Sequence, residues 1–347
     1  MATVLTQTAR PVDVPARAAV LVTGGWGFIG GHLVAHLAAR GATVTVLDLD
    51  GGPPVPPPGV TSVRGDVRDL DLCLDLVADR RPDLVFHLAA SSTIDSAYED
   101  PHASLAVNAG GTTNLLEAVR RAGGVGRFVH ASTDKVYGEL RGPSYREDSP
   151  LQARGVYDVG KLAADQVTRL YGYELGVPVA VLRLCNVFGP GDANTAYRIV
   201  PRSLDRLLGP GGPLPPVVYE GSMGHSRDYV FVEDVVRALV VLAQDRRARG
   251  GVFNMAPTAH RTTLALVEEL IDAAAAGCAP HDPARAAAIR RNGYEVAAGG
   301  APASVLVRQH GCAERLRELG FRPEVGMAEG LRRTVAAVLG ERHAVAG

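Results

Sequence analysis

Apolar and polar positions in the first half of the chain follow two alternating periods. Short β-branched runs read as strands: "AAVLVTG" (18–24), "TVTVLDLD" (43–50), "GVTSVRGD" (59–66), "DLVFHLAA" (83–90), "GRFVHAS" (126–132) and "PVAVLRL" (178–184). Helical periods lie between them. "FIGGHLVAHLAARG" (28–41) puts Ile29, Leu33, Val34 and Leu37 on one face and ends at Gly41. Further helices are predicted over 70–80, 103–123 and 156–176. Strands alternating with helices mean βαβ units and a parallel sheet. After Asn186 the alternation fails. Residues 188–228 are rich in Gly and Pro, 227–245 return to strand and helix, 250–257 read as a strand, and 280–325 read as irregular. The second half therefore reads as a smaller lobe interleaved with late pieces of the sheet.

Composition narrows the class. The chain has 347 residues, 46% apolar and 21% charged, which suits one large domain or two smaller ones. A net charge of −1 gives no bulk attraction for nucleic acid or an anionic membrane, so an anionic ligand needs local groups. The apolar run "VVRALVVLA" is broken by Arg237, and no stretch reaches the length of a membrane span. The first residues lack the apolar core of a secretory signal and read as a loose tail. Cys73, Cys185, Cys278 and Cys312 are scattered, which predicts reduced thiols and a cytoplasmic setting. No metal site is expected, because neither H-E-x-x-H nor a Cys/His cluster occurs.

Three stretches carry candidate chemistry. "TGGWGFIGGHLV" sets Gly24, Gly27 and Gly30 between a strand and a helix, where glycines admit a phosphate to the backbone and the helix N-terminus supplies donors. Asp48 ends the next strand, eighteen residues after Gly30, and a carboxylate there would accept from ribose hydroxyls and repel a 2′-phosphate. That favours NAD over NADP; Asp50 is the rival. Asp66 could meet the adenine, Ala89 and Ala90 are small enough for close approach, and His87 reads as a packed histidine. "YDVGK" sets Tyr157 and Lys161 at i, i+4 on one helical face, where the ammonium would lower the phenol's pKa and make a base for an alcohol proton. "STDKVYG" adds a hydroxyl, a carboxylate and an amine in succession at Thr133, Asp134 and Lys135.

Together these pieces, with "HLAA", "NAGGTTNLLEA", "RLCNVFGPGD" and "RDYVFVEDV", resemble the extended short-chain dehydrogenase/reductases of the nucleotide-sugar epimerase/dehydratase type. The matching pieces run over residues 20–256, and "ELGFRPEVGMAEGLRRTV" continues the match to about 338. The resemblance implies an α/β fold: a Rossmann-like doubly wound parallel sheet with a smaller C-terminal substrate-binding lobe. It places a flexible tail at 1–17, the NAD-binding part at 18–185 and 227–257, and the substrate lobe at 186–226 and 258–340. It implies bound NAD, a nucleotide-diphosphate sugar as substrate, and a homodimer joined through a four-helix bundle of the 103–123 and 156–176 helices. Around NAD it sets Gly24, Gly27, Phe28, Ile29, Gly30, Asp48, Asp66, Val67, Leu88, Ala89, Ala90, Tyr157 and Lys161.

For chemistry, the resemblance makes Tyr157 the base, with Lys161 on the nicotinamide ribose. Thr133 would bond the sugar hydroxyl, Ser132 being the alternative. Ser92, Thr133, Asn186, Arg198 and Arg227 would hold substrate, Arg227 by the planar fork that suits a diphosphate. Surface pairing with Asp228 or Glu233 is the plain alternative for Arg227, and loop capping for Asn186. Epimerases of this type resemble one another in small residues after the hydroxyl, whereas 4,6-dehydratases carry an acid and a base there. Asp134-Lys135 departs from the familiar Thr-Asp-Glu and resembles certain cytidine- and uridine-diphosphate-sugar dehydratases. A lysine is a base only when neutral. A 4,6-dehydratase stands ahead of a 4-epimerase in which Lys135 merely pairs with Asp134 or Glu139. Decarboxylase or reductase chemistry takes the remainder, and a non-catalytic NAD-binding scaffold is disfavoured, since it would be expected to have lost Tyr157 or Lys161 and both are present.

Overall fold

Valine-rich runs build the sheet because branched side chains pack well on a pleated surface that is buried on both faces. The computed structural model describes residues 17–91, 94–257, 260–299 and 306–346. Its main sheet contains β1 (Ala19–Thr23), β2 (Thr43–Asp48), β3 (Val60–Arg64), β4 (Leu84–His87), β5 (Arg127–Thr133), β6 (Val179–Leu184) and β7 (Val252–Met255). The strands are parallel, in the order β7-β6-β5-β4-β1-β2-β3. This is the expected Rossmann-like α/β fold. The order reverses between β1 and β4, and the crevice outside their carboxyl ends is where such sheets bind ligands.

Helices cover both faces. Leu33, Val34 and Leu37 of α1 (Phe28–Ala39) join Val235 and Leu239 of the Val232–Gln244 helix in one core. Cys73, Leu76 and Val77 of α2 (Leu70–Arg80) join Leu115, Leu116 and Val119 of α3 (Thr112–Ala122) in another. A third cluster gathers Leu204, Leu270, Ile289 and Val335 from four later helices onto Phe188 and Phe231.

The helix expected over 103–123 is interrupted. Pro101–Leu105 leads into a π-helical turn, Ala106–Gly111, before α3. A Cβ on Gly111 would lie 2.5 Å from a Val67 methyl, so the glycine lets this turn press against the loop after β3. The widened turn carries Asn108, whose side chain accepts from Ser91 N at 2.9 Å and donates to Ser91 O at 3.3 Å. Such turns often mark functional sites. The region 280–325 is less irregular than expected: Asp282 caps a helix over Pro283–Asn292 by accepting from Arg285 N at 2.8 Å, and Pro283 opens its first turn. A further helix, Ile199–Leu208, lies within the Gly/Pro-rich segment. Among the described residues, no helix is long and apolar enough to cross a membrane.

Candidate active site

Glycine at position 24 is a steric necessity. Gly24 has φ +70°, and a Cβ there would lie 2.7 Å from Ala89 N, in the loop after β4. A Cβ on Gly30 would lie 2.1 Å from Gly24 O. The turn therefore closes tightly, and Gly27 opens α1 without a side-chain cap. Asp48, at the end of β2, accepts from Trp26 N at 2.9 Å, so this carboxylate is anchored to the glycine turn. Its rival Asp50 is exposed. Asp66 forms two bonds to the Arg68 guanidinium, 2.8 and 2.6 Å, which hold its pKa below the usual value despite partial burial. The Val67 carbonyl accepts from Asn114 at 3.1 Å.

His87 is a packed residue, as expected. It is buried, and burial, helped by the Lys161 charge, pushes its pKa down to about 3. Its tautomer follows from its neighbours. Thr112 gives its proton to Asn108 O at 2.6 Å, so it accepts from His87 Nε2 at 2.9 Å. His87 Nδ1 then accepts from Thr23 at 2.7 Å, and Thr23 accepts weakly from Ala89 N at 3.4 Å. This chain of bonds ties the ends of β1 and β4 to the π turn.

The hydroxyl, carboxylate and amine follow β5 without a gap. Thr133 is the last residue of β5 and caps a 3₁₀ turn, Asp134–Tyr137, by accepting from Lys135 N at 3.3 Å. Strand geometry would send successive side chains to opposite faces, whereas the 3₁₀ turn rotates them by about a third of a circle. Asp134 is buried, and burial raises its pKa against the opposing pull of Lys135, Thr133 and Arg227. Lys135 Nζ lies 3.9 Å from Asp134 Oδ1. Glu139 takes no part in that pair; it accepts from Val307 N and Arg308 N at 2.7 and 3.1 Å. Ser132 is committed elsewhere, donating to Asp165 at 2.8 Å, which leaves Thr133 as the hydroxyl at the turn.

Tyr157 and Lys161 stand on α4 (Val156–Tyr173). Lys161 donates to Ala131 O at 2.6 Å, and burial lowers its pKa to about 8. The expected lowering of the Tyr157 pKa is not found. Burial pushes the phenol up to about 12, Asp158 and Asp134 push the same way, and Arg198 and Thr133 oppose them. Burial is the largest of these influences on the phenol and outweighs the groups that favour phenolate.

Neither surface ion pair considered for Arg227 forms. Its Nε donates to Gln309 Oε1 at 3.0 Å and its Nη2 to Leu306 O at 2.8 Å. Asp228 instead pairs with His260 at 3.0 Å, and Glu233 with Arg333 at 3.0 Å. Asn186 Nδ2 donates to Asp228 O at 3.1 Å, the capping geometry weighed for it. Arg198 pairs with Asp192 at 3.0 Å and stands 5.5 Å over the Phe28 ring, joining the start of α1 to the 188–228 segment. Ile29 and Leu88 pack on the sheet core beside Phe28, and Ala90 is partly buried. Ser92 lies outside the described residues. Gln309 and Asp158 were not among the expected site residues. Asp158 is visible only as an odd charge within "YDVGK", and Gln309 only as part of the unusual stretch "QHGCAE".

The family model for the NAD dependent epimerase/dehydratase family matches residues 20–256, well over half of the chain. The chain belongs to this family. The epimerase/dehydratase chain is 33% identical to the dTDP-glucose 4,6-dehydratase of Streptomyces antibioticus over 331 residues, which cover 91% of each protein. Two solved structures are also similar. The UDP-glucose 4-epimerase of Thermus thermophilus, in complex with NAD, is 33% identical with a TM-score of 0.78, covering 92% of this chain and 99% of the other. The dTDP-glucose 4,6-dehydratase of Streptomyces venezuelae, with NAD bound, is 30% identical with a TM-score of 0.78, covering 93% and 98%.

The cofactor of this epimerase/dehydratase is NAD, and its residues fit that group. The close approach of Gly24 and Ala89, for which no Cβ leaves room, and the bare N-terminus of α1 suit a pyrophosphate, and Asp48 suits the adenosine ribose. Replacing Asp48 by Ala is expected to lower NAD affinity and to shrink the preference for NAD over NADP by about tenfold or more, since one carboxylate–ribose bond and one like-charge repulsion are lost together. Fluorescence titration of the purified variant with each dinucleotide measures both. An unchanged preference would remove Asp48 from that role.

Proposed function

We propose that the protein is a nucleotide-diphosphate-sugar 4,6-dehydratase. The observation that carries this reading is the 3₁₀ turn at the end of β5. It sets Thr133, buried Asp134 and Lys135 in succession, and Asp134 Oδ2 has no partner among the described residues. Bound NAD supplies the capacity to accept a hydride from the sugar and return it. Tyr157 takes the C4 hydroxyl proton while Thr133 orients that hydroxyl. A ketone at C4 acidifies the C5 hydrogen. Lys135 removes the C5 proton and Asp134 protonates the departing C6 hydroxyl, so water leaves as the C5–C6 double bond forms. Lys161 holds the nicotinamide ribose, and Arg227, with Asn186 and Arg198, holds the diphosphate. On this reading residues 18–185 and 227–257 form the dinucleotide part and 186–226 with 258–340 the sugar-nucleotide lobe. The exposed apolar residues Leu105, Val159, Leu170 and Tyr173 suit burial in a homodimer built on the Pro101–Leu105 segment and α4.

A second reading, a nucleotide-sugar 4-epimerase, is favoured by one contact. The 3.9 Å approach of Lys135 to Asp134 is also what a purely structural ion pair would make. The two readings separate in deuterated water with a panel of nucleotide sugars. A dehydratase yields a product lighter by one water with solvent deuterium at C5, and Lys135→Ala stops elimination. An epimer of unchanged mass with no deuterium at C5, and a nearly silent Lys135→Ala, would overturn the dehydratase reading.

A further inference from the structure

The oxygens of Asp134 are unequal in a way that the catalytic turn alone does not explain. Oδ1 faces three donors: Gln309 Nε2 at 3.2 Å, the Thr133 hydroxyl at 3.4 Å and Lys135 Nζ at 3.9 Å. Oδ2 is buried and has none among the described residues. The polarity of the Gln309 amide is fixed from its other end. A guanidinium can only donate, so the 3.0 Å contact with Arg227 Nε demands the amide oxygen. The NH₂ group must then face Asp134, and a donor there favours Oδ1 as the carbonyl oxygen and the proton on Oδ2.

The backbone enforces this arrangement. Strand Arg308–Gln309 runs parallel to Ser226–Arg227 with Gln309 opposite Arg227, and Asp228 N donates to Gln309 O at 3.0 Å. Glu139 grips the start of the Arg308–Gln309 strand through the amides of Val307 and Arg308, and Arg308 Nη2 donates to Leu140 O at 3.2 Å. Gln309 is only 1% exposed, so an amide at this position without partners on both ends would be costly.

We propose that Gln309 is a positioning residue that holds the proton of Asp134 on Oδ2 and links this acid to the diphosphate-binding guanidinium of Arg227. The inference rests on the dehydratase reading. In the elimination, Oδ2 gives its proton to the C6 hydroxyl as the C6–O bond breaks. The C5–H electron pair forms the double bond, and Lys135 takes the C5 proton. Asp134 is left as a carboxylate whose Oδ1 keeps its donors. Lys135 and Arg227 are the cations around it; Asp158, Asp228, Tyr157, Tyr145 and Cys185 are the other titratable groups within electrostatic reach.

The test compares Gln309→Leu and Gln309→Glu with the wild-type holoenzyme. With Leu, kcat for water loss is expected to fall by about tenfold to a hundredfold, while KM and the calorimetric Kd for the free nucleoside diphosphate stay within about threefold. Loss of the donor to Oδ1 also disfavours the carboxylate, so the alkaline limb of kcat moves to higher pH. With Glu, a second carboxylate moves that limb further. Infrared difference spectra, assigned with Asp134→Asn, give a readout that needs no turnover: the carbonyl band of protonated Asp134 shifts to higher wavenumber in Gln309→Leu. Should Leu not fold, the Glu variant carries the same two measurements. An unshifted limb and band, or a kcat within twofold of wild type, would overturn the role of Gln309. Failure of the dehydratase reading is distinguishable, because it shows in the wild-type product while the infrared shift still reports the Gln309–Asp134 bond.

Discussion

Replacing Tyr157 by Phe is expected to lower turnover about a thousandfold while nucleoside diphosphate affinity stays within a few-fold. In the proposed mechanism the phenol acts on a proton in the transition state, whereas Arg227, Asn186 and Arg198 are separate groups suited to ground-state binding. The site is set against an easy phenolate. Burial and the Asp158 carboxylate hold the Tyr157 pKa up at about 12. A base must be deprotonated to act, so a change that lowers the Tyr157 pKa should carry the rising limb of kcat/KM to lower pH. Asp158→Asn removes one of the raising charges and should move the low-pH limb of kcat/KM to lower pH. Single-turnover rates, calorimetry and the pH profile measure these effects. A Phe variant with near-normal rate would exclude Tyr157 as the base.

The largest stability effect is expected beneath the site, at Arg183. This guanidinium and the Asp165 carboxylate are both fully buried and meet through two 2.9 Å bonds. Arg183 Nη1 also donates to Tyr137 OH at 2.8 Å and Glu147 O at 3.2 Å, and Tyr137 donates to Asn254 at 2.7 Å. Asp165 accepts from Ser132, next to Thr133, and lies one helical turn after Lys161. The pair therefore joins β5, β6, the 3₁₀ turn and α4 at one point. Arg183→Met should cost about 3–5 kcal/mol, because it strands a buried carboxylate, and should be seen as a lower midpoint in urea. Adding Asp165→Leu should recover much of that loss, since an apolar pair of similar volume needs no desolvated charge. A loss below about 1 kcal/mol for Arg183→Met would mean that water or another cation reaches Asp165.

Legibility followed the range of the interactions involved. The strands of the sheet, the glycine turn and the Tyr157–Lys161 pair were readable because each depends on spacing within one element or one turn. The helix over Pro283–Asn292 had a local signature, Asp282 before Pro283, that the surrounding Ala/Gly-rich composition obscured. The π turn at Ala106–Gly111 had no such signature, since it answers to Val67 on another segment. Arg183 in "PVAVLRL" looks like a charge at the end of a strand, and nothing in that run announces a fully buried partner on α4.

Sequence order was enough for the βαβ layout, the glycine turn before α1 and the succession Thr133-Asp134-Lys135, because local backbone preference and hydrophobic period are written residue by residue. The fold alone decided which of Ser132 and Thr133 is the hydroxyl at the turn, since Asp165, thirty-three residues along the chain, claims Ser132. It decided the direction of the Tyr157 pKa, because burial, with Asp158 beside it, outweighs the opposing Arg198 and Thr133. It also brought Gln309, 175 residues from Asp134, against that carboxylate. Desolvation and hydrogen-bond polarity depend on what surrounds a group in space, and those surroundings come from segments that only the closed fold sets side by side.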